Sequence, residues 1–400
     1  MKKQNINCIV DLGSKKIKCA FFSHENNNSK LIASSEKETA GIHNSTIINF
    51  DQACNSVRSL VADVEKKAGI NINNISVLIE PIEILVTHLT KFKRMEGSKI
   101  EKEDINFLLR ESKKQIEKND KNYSQIHILN SRYVVDKKVF NELPINIFCN
   151  QLSLENTFIS IPKNILKNIS EVFHNCELEI DRFISTSYAN GLNLFNKYKL
   201  DQGCGVIDIG YEKTSIALFK NMSLLKMIVI PIGSNHITKD ISKICYLNEN
   251  ESELIKLDQD LFLNIEFNEA FLPKKYFIES KFRKISLKFI SDIISSRIDE
   301  IAQIIFKEIK NVDQFQIIKN NLIFIGEGSK IFNTNYCENF SLFDIQKDIK
   351  DKDLEKKNNS SLACYSGENL LVNGWVKEAI AMPFTDQKKG LFTRLFEVFN

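Results

Sequence analysis

Twice, about half a chain apart, a short apolar run ends in Asp-x-Gly and turns back into a second apolar run. The first copy is Cys8-Ile-Val-Asp11-Leu-Gly13-Ser14-Lys15-Lys16, running on to Phe22; the second is Gly203-Cys-Gly-Val-Ile-Asp208-Ile-Gly210-Tyr-Glu-Lys-Thr214, running on to Phe219. Each reads as strand, glycine-permitted turn, strand. An Asp at a strand end can hold a hydrated divalent cation, and the backbone N–H groups of such a turn can hold phosphate oxygens. One such hairpin is merely a turn. Two related ones point to a duplicated domain with a nucleotide between the halves.

The length supports two domains, since 400 residues exceed a typical single core. A net charge of +3 is too balanced to argue for nucleic acid. Nine scattered cysteines with no Cys-x-x-Cys spacing read as reduced thiols packed like small apolar residues. No run approaches the ~20 apolar residues of a membrane span, so any membrane contact is expected to be peripheral.

Along the chain, Lys30 to Ser35 supplies a third strand. Asp51 is expected to cap an amphipathic helix with Val57, Leu60, Val61 and Val64 on one face, stopped at Gly69. Ile75 to Ile79 is a short buried strand. The next stretch, 84–161, reads as a small inserted α+β unit: a strand over Glu83 to Lys93, an acid-first helix from Ile100, and strands at Ile126 to Val135, Ile145 to Leu152 and Phe158 to Ile161. Pro162 then opens a helix carrying Ile165, Ile169, Val172 and Phe173. After the central hairpin, a strand ends in Pro231-Ile-Gly233-Ser-Asn235-His236 and opens a helix, and 249–310 is mainly helical. Asn321 to Ile325 is a buried strand leading into Gly326-Glu-Gly328-Ser329.

In that order, the two Asp-x-Gly hairpins and the strand with Gly-x-Gly resemble the phosphate-1, phosphate-2 and adenosine elements of the actin/Hsp70/hexokinase superfamily. Within it, Asp11-Leu-Gly-Ser-Lys-Lys16, Asp208-Ile-Gly and Pro231-Ile-Gly-Ser-Asn235-His-Ile-Thr-Lys-Asp240-Ile resemble the bacterial cell-division FtsA family over nearly the whole chain. The resemblance implies an α/β fold of duplicated actin-like (ribonuclease H-like) domains. The expected division is 1–83 and 162–200, with part of 362–380, for subdomain 1A; 84–161 for the inserted subdomain 1C; 201–240 and 311–375 for 2A; 241–310 for 2B; 381–390 for a linker; and 391–400 for an amphipathic helix.

It also implies ATP with Mg²⁺, held by Asp11, Gly13, Ser14, Lys15, Lys16, Asp208, Gly210, Thr214, Gly233, Asn235, Gly326, Gly328 and Ser329, with Asp11 and Asp208 around the metal. Lys256 and Arg297 are either neighbours of the base or ribose, or surface charges on helices. The implied partners are the FtsZ C-terminal peptide through 2B, later divisome proteins through 1C, further copies of the chain in an actin-like polymer, and the membrane; no nucleic acid is implied. The implied location is the cytoplasmic face of the inner membrane at the division site. Two alternatives stay open: a pilus-assembly adaptor of the PilM type, and a small-molecule kinase of the same superfamily.

This chain departs from the family pattern at the second hairpin, where Tyr211, Glu212 and Lys213 follow Gly210 in place of a glycine run, and at Glu327. Acidic groups near an anion and the lack of an evident general base leave at most a weak ATPase. The last residues form a separate signal. At ~100° per residue, Leu391, Phe392, Leu395, Phe396, Val398 and Phe399 fall within an arc of roughly 160°, opposite Thr393, Arg394 and Glu397. A polar stretch from Pro383 to Gly390 precedes them. Three Phe on one face beside Lys388, Lys389 and Arg394 read as an interfacial membrane helix.

Overall fold

The computed structural model describes residues 6–25, 28–140, 142–258, 260–263, 270–312, 315–329, 362–374 and 378–381. The helix expected over 391–400, with Leu391, Phe392, Leu395, Phe396 and Phe399, lies outside them, as does the linker before it.

The first hairpin is the start of an antiparallel meander, β1 (Ile6–Leu12), β2 (Lys16–Glu25) and β3 (Asn28–Glu38). A short pair, β4 (Ile42–His43) and β5 (Thr46–Ile47), leads into helix α1 (Phe50–Ala68). β6 (Asn74–Ile79) then returns parallel to β1. In α1 the apolar face Val57, Leu60, Val61 and Val64 is buried, and Gly69 ends the helix at φ 68°. The cap is Asn49 and not Asp51: the Asn49 side chain accepts from the Gln52 N–H. Asp51 sits in the first turn, where the positive end of the helix dipole still favours it.

The inserted unit has its own sheet and core. It comprises β7 (Leu85–Arg94), α2 (Lys102–Asn119), β8 (Tyr123–Val135), β9 (Lys138–Phe140) and β10 (Gln151–Pro162). Ile128, Leu152, Leu154 and Phe158 bury against Ile105, Leu108 and Ile116 of α2. The strand expected from Ile145 to Leu152 is a loop up to Asn150, because Asn146 enters the left-handed region at φ 69°. β10 then runs unbroken through Phe158 to Ile161, as the central strand between β7 and β8.

The chain re-enters the first half through α3 (Lys163–His174), β11 (Glu179–Ser185), α4 (Thr186–Leu194) and α5 (Lys197–Gln202). β11 pairs parallel with β6, completing the order β11-β6-β1-β2-β3. The second half repeats this plan. β12 (Cys204–Ile209), β13 (Thr214–Lys220) and β14 (Ser223–Ile230) form an antiparallel meander. Helices α6 (Ser234–Cys245), α7 (Glu249–Leu257), α8 (Asp260–Leu263), α9 (Leu287–Ile309) and α10 (Phe315–Lys319) follow. β15 (Leu322–Ile325) closes the sheet parallel to β12, in the order β14-β13-β12-β15. The duplicated α/β architecture expected from the two hairpins is therefore present. The buried stripe Ile290, Ile294, Ile298, Ile301 and Ile305 of α9 anchors the second core.

Helix α11 (Leu362–Asn373) crosses back onto the first half. Its Ser366 and Asn369 bond Asn193 of α4, and its Gly367 passes so close to Ile9 and Leu78 that a Cβ there would lie 3.2 and 3.3 Å from them. β16 (Glu378–Ala381) pairs antiparallel with β8, adding an edge to the inserted sheet. The eight described cysteines are all free thiols.

Candidate functional site

Asp11 and Asp208 stand at corresponding places in the two halves, each near the carboxyl end of a strand whose neighbour runs parallel. Asp11 faces Leu78 of β6, and Asp208 faces Ile325 of β15. In open α/β sheets, the carboxyl ends of parallel strands are where ligands collect. Between them lies a cavity of about 300 Å³. It is lined by both hairpin turns, by Glu80, Thr186 and Asn190 of the first half, and by Ser234, Glu253, Lys256, Gly326 and Glu327 of the second.

Of the residues singled out in the sequence, Asp11, Gly13, Ser14, Lys15, Lys16, Asp208, Gly210, Lys256 and Gly326 line this cavity. Thr214, Gly233, Asn235, Gly328 and Ser329 do not; they shape its walls. The Thr214 hydroxyl donates to the Ile232 carbonyl. Gly233 caps α6 with its Cα against the second turn, where a Cβ would lie 2.6 Å from the Tyr211 carbonyl oxygen and 2.7 Å from that of Gly210. The Ser234 and Asn235 N–H groups donate to those same two carbonyls. Gly326 takes φ 91°, and a Cβ there would meet an Asp208 carboxylate oxygen at 2.4 Å, so only glycine fits. The Gly328 N–H donates to the Ile209 carbonyl, and the Ser329 hydroxyl to that of Gly326. Arg297 is absent from the lining and is bound by Asp240 at 2.5 Å.

Charge fills the cavity in equal number: Lys15, Lys16, Lys18, Lys213 and Lys256 face Asp11, Glu80, Asp208, Glu253 and Glu327. Burial raises the Asp11 carboxyl, while Lys18 and Lys213 hold it down. Burial and then the Asp11 charge push Asp208 up to about 6, again against Lys18 and Lys213. Burial pushes Glu80 up to about 7 even though the Ser187 N–H, at 2.7 Å, and the Ser185 hydroxyl donate to it.

The unusual second turn spans the cleft. The Lys213 ammonium donates to Ser45 Oγ at 2.9 Å and to the Glu80 carbonyl, both in the first half. Glu212 pairs with His43 of β4 at 2.7 Å. The Tyr211 ring lies under two ammonium groups, Lys15 at 4.7 Å and Lys256 at 5.6 Å. Lys15 itself reaches Glu253 of α7 at 2.6 Å, and Lys18 reaches Glu327 at 3.7 Å. The acidic substitutions expected to repel a phosphate thus face basic partners from the opposite half. Burial lowers the Lys256 ammonium, and Glu253 raises it in turn; Lys256 is a buried wall of the cavity and not a surface charge.

Sequence reasoning missed Glu80, Asn190, Glu253 and the crossing of Lys213. Glu80 carried a usable signal: a lone acid ending the apolar strand Ile75 to Ile79, as Asp11 and Asp208 end theirs. The others depend on pairs as much as 238 residues apart.

The donor set suits a nucleotide and does not suit the expected Mg²⁺. Five lysines surround the cavity, and Asn190, 1% exposed, keeps its Oδ1 without a hydrogen-bond partner. Asp11 and Asp208 already share the fields of two ammonium groups, Lys18 and Lys213.

Comparison with known proteins adds a likeness in sequence. The family model described as "Cell division protein FtsA" matches residues 205–337. The cell division protein FtsA of Streptococcus pneumoniae is 23% identical over 317 residues, 75% of this chain and 66% of that protein, just under two thirds of its length. FtsA of Agrobacterium fabrum is 20% identical over 345 residues, 82% of this chain and 77% of the relative; FtsA of Bacillus subtilis is 23% identical over 316 residues, 78% and 71%. Among solved structures, a "PilM-PilN type IV pilus biogenesis complex" matches with a TM-score of 0.62 at 11% identity, covering 94% of this chain and 100% of that one. That likeness is one of fold.

Proposed function

From its relation to the FtsA cell-division proteins, we propose that this actin-like chain binds ATP in its interdomain cleft and tethers a division filament to the membrane. The observation that supports the reading best is the FtsA sequence likeness over 75–82% of the chain. The turns at Gly13-Ser14 and Gly210 to Thr214 would hold the phosphates, with Lys15 and Lys16 beside them, and the walls at Ser234, Lys256 and Gly326 to Ser329 would hold the nucleoside. ATP supplies charge to the cleft; the chain's residues neutralise and orient it. Steady hydrolysis is slow or absent in this reading, because Tyr211, Glu212 and Glu327 stand where the family pattern has glycines.

The tether has two ends. Residues 391–400 form the interfacial membrane helix, and the second domain, over 240–310, takes the FtsZ C-terminal peptide. Self-association into actin-like polymers and recruitment of later division proteins through 84–161 complete the role, at the inner face of the cytoplasmic membrane. Among the described residues no helix is long and apolar enough to cross a membrane.

Flotation of the full chain with anionic lipid vesicles, with and without a labelled FtsZ C-terminal peptide, tests both ends. The peptide should float only when the chain is present, and a chain lacking 240–310 contacts should float alone. If the peptide needs residues 84–161 and not 240–310, the pilus-adaptor reading takes over.

A further inference from the structure

In clefts built around two strand-end carboxylates, the ion that joins them to a bound polyphosphate is ordinarily a divalent metal. Here that place is contested by a side chain. Lys213 leaves the second turn, crosses the cleft, and fixes its ammonium on Ser45 Oγ at 2.9 Å and on the Glu80 carbonyl. Two donor bonds to the opposite half hold the charge at the base of the cavity. Lys213 is half-buried in the cavity lining; burial lowers its ammonium, and the charges of Glu80, Asp11, Asp208 and Glu212 work to raise it. Lys18, opposite Asp11 in the β1–β2 register, adds a second ammonium to the same two carboxylates.

We propose that the Lys213 ammonium is a built-in counter-ion that takes the place of the divalent metal, so that this cleft binds a nucleoside triphosphate without Mg²⁺. The inference rests on the nucleotide reading above and narrows its ligand to the metal-free polyphosphate. The physical argument is one of charge and space. A divalent ion between Asp11 and Asp208 would sit in the field of the Lys18 and Lys213 ammonium groups, while a phosphate beside those ammonium groups gains charge-assisted hydrogen bonds. Because Lys213 belongs to the second half and its acceptors to the first, a phosphate bound to it lies beside a link between the halves.

Calorimetry on the full chain tests this, with ATP as the probe in two buffers, one containing Mg²⁺ and one containing EDTA with no divalent ion. The affinities should agree within about twofold. Lys213→Met, which keeps the length and removes the charge, should weaken binding in EDTA by about tenfold or more and regain part of it when Mg²⁺ is added. Lys213→Arg, which keeps a cation, should bind in EDTA. If the wild-type chain binds ATP with Mg²⁺ and loses about tenfold or more in EDTA, the inference is overturned and the nucleotide reading stands. If no heat appears in either buffer, both are overturned. Should Lys213→Met fail to fold, the wild-type comparison between buffers still decides.

Discussion

Glu80 is a carboxyl group kept 4% exposed beside a lysine that bonds its backbone and not its side chain. Burial raises it to about 7, so the native state holds its proton more tightly than the unfolded chain, where it titrates near 4.5. Such a group stabilises the fold below about pH 4.5, and that contribution drains away as pH rises through the interval to 7. Glu80→Gln should therefore flatten the pH dependence. Between pH 5 and 8 the wild type should lose up to about 3 kcal/mol relative to the variant in urea unfolding. Parallel pH profiles for the two proteins would assign the slope elsewhere. The same residue marks how far the site was legible. Asp11 and Asp208 announce themselves through a repeated strand-Asp-x-Gly-strand pattern, because the turn chemistry is local. Glu80 ends its strand before Pro81 and makes no hairpin, and Lys213 shows its role only when Ser45 is brought beside it.

At the scale of elements, α7 decides whether the second half can reach the cleft. It carries Glu253 to Lys15 and sets Lys256 over the Tyr211 ring. The helix is anchored at its start by Glu251, 1% exposed, which accepts from the N–H groups of Ile278, Glu279 and Ser280 at 2.6–2.9 Å and from its own cap residue Asn248 at 3.0 Å. Burial works to raise this carboxyl, but the Ser280 hydroxyl and the backbone donors bring it down to about 2. Its contribution is complete above pH 4.5 and is lost as pH falls from there toward 2. Glu251→Ala should cost about 2–3 kcal/mol at neutral pH, as buried donors lose a charged acceptor, read by denaturant unfolding, and the deficit should shrink in acid. A deficit that stays constant down to pH 2 would mean that packing and not charge anchors the helix. The periodicities of α1 and α9 and the apolar runs of β1, β12 and β15 were readable because each element's pattern is complete within itself. The loop at 145–150 was not, since a single left-handed Asn146 outweighs an apolar run, and neither was the cap of α1, where Asn49 and Asp51 are both good caps and only geometry separates them.

The whole molecule is two copies of one plan joined by a crossing helix, with a third sheet set into the first copy. The crossing is tight: α4 passes so close to β13 that a Cβ on Gly191 would lie 2.2 Å from the Phe219 ring, and α11 returns from the second half to bond α4. The described chain then ends in β16, paired to β8 of the inserted sheet at Glu378–Ala381. The residues of the amphipathic stretch come after this last paired strand, so the fold's described contacts do not depend on them. Deleting residues 388–400 should leave the unfolding midpoint and ATP binding unchanged while the protein no longer floats with anionic vesicles. Within the full chain, Phe396→Glu should have nearly the same effect. Burying a Phe is worth ~1.5–3 kcal/mol, so its loss together with a carboxylate set against acyl chains weakens vesicle binding by about tenfold or more. Arg394→Ala should weaken it far less and only on anionic lipid, since a basic residue at such a surface contributes ~1 kcal/mol. The ordering of these two variants separates insertion from charge attraction. If Arg394→Ala releases the protein and Phe396→Glu does not, the tip is held by electrostatics at the surface. If the deletion lowers the unfolding midpoint by several degrees, the stretch packs on the body beyond β16 and is not a membrane helix at all.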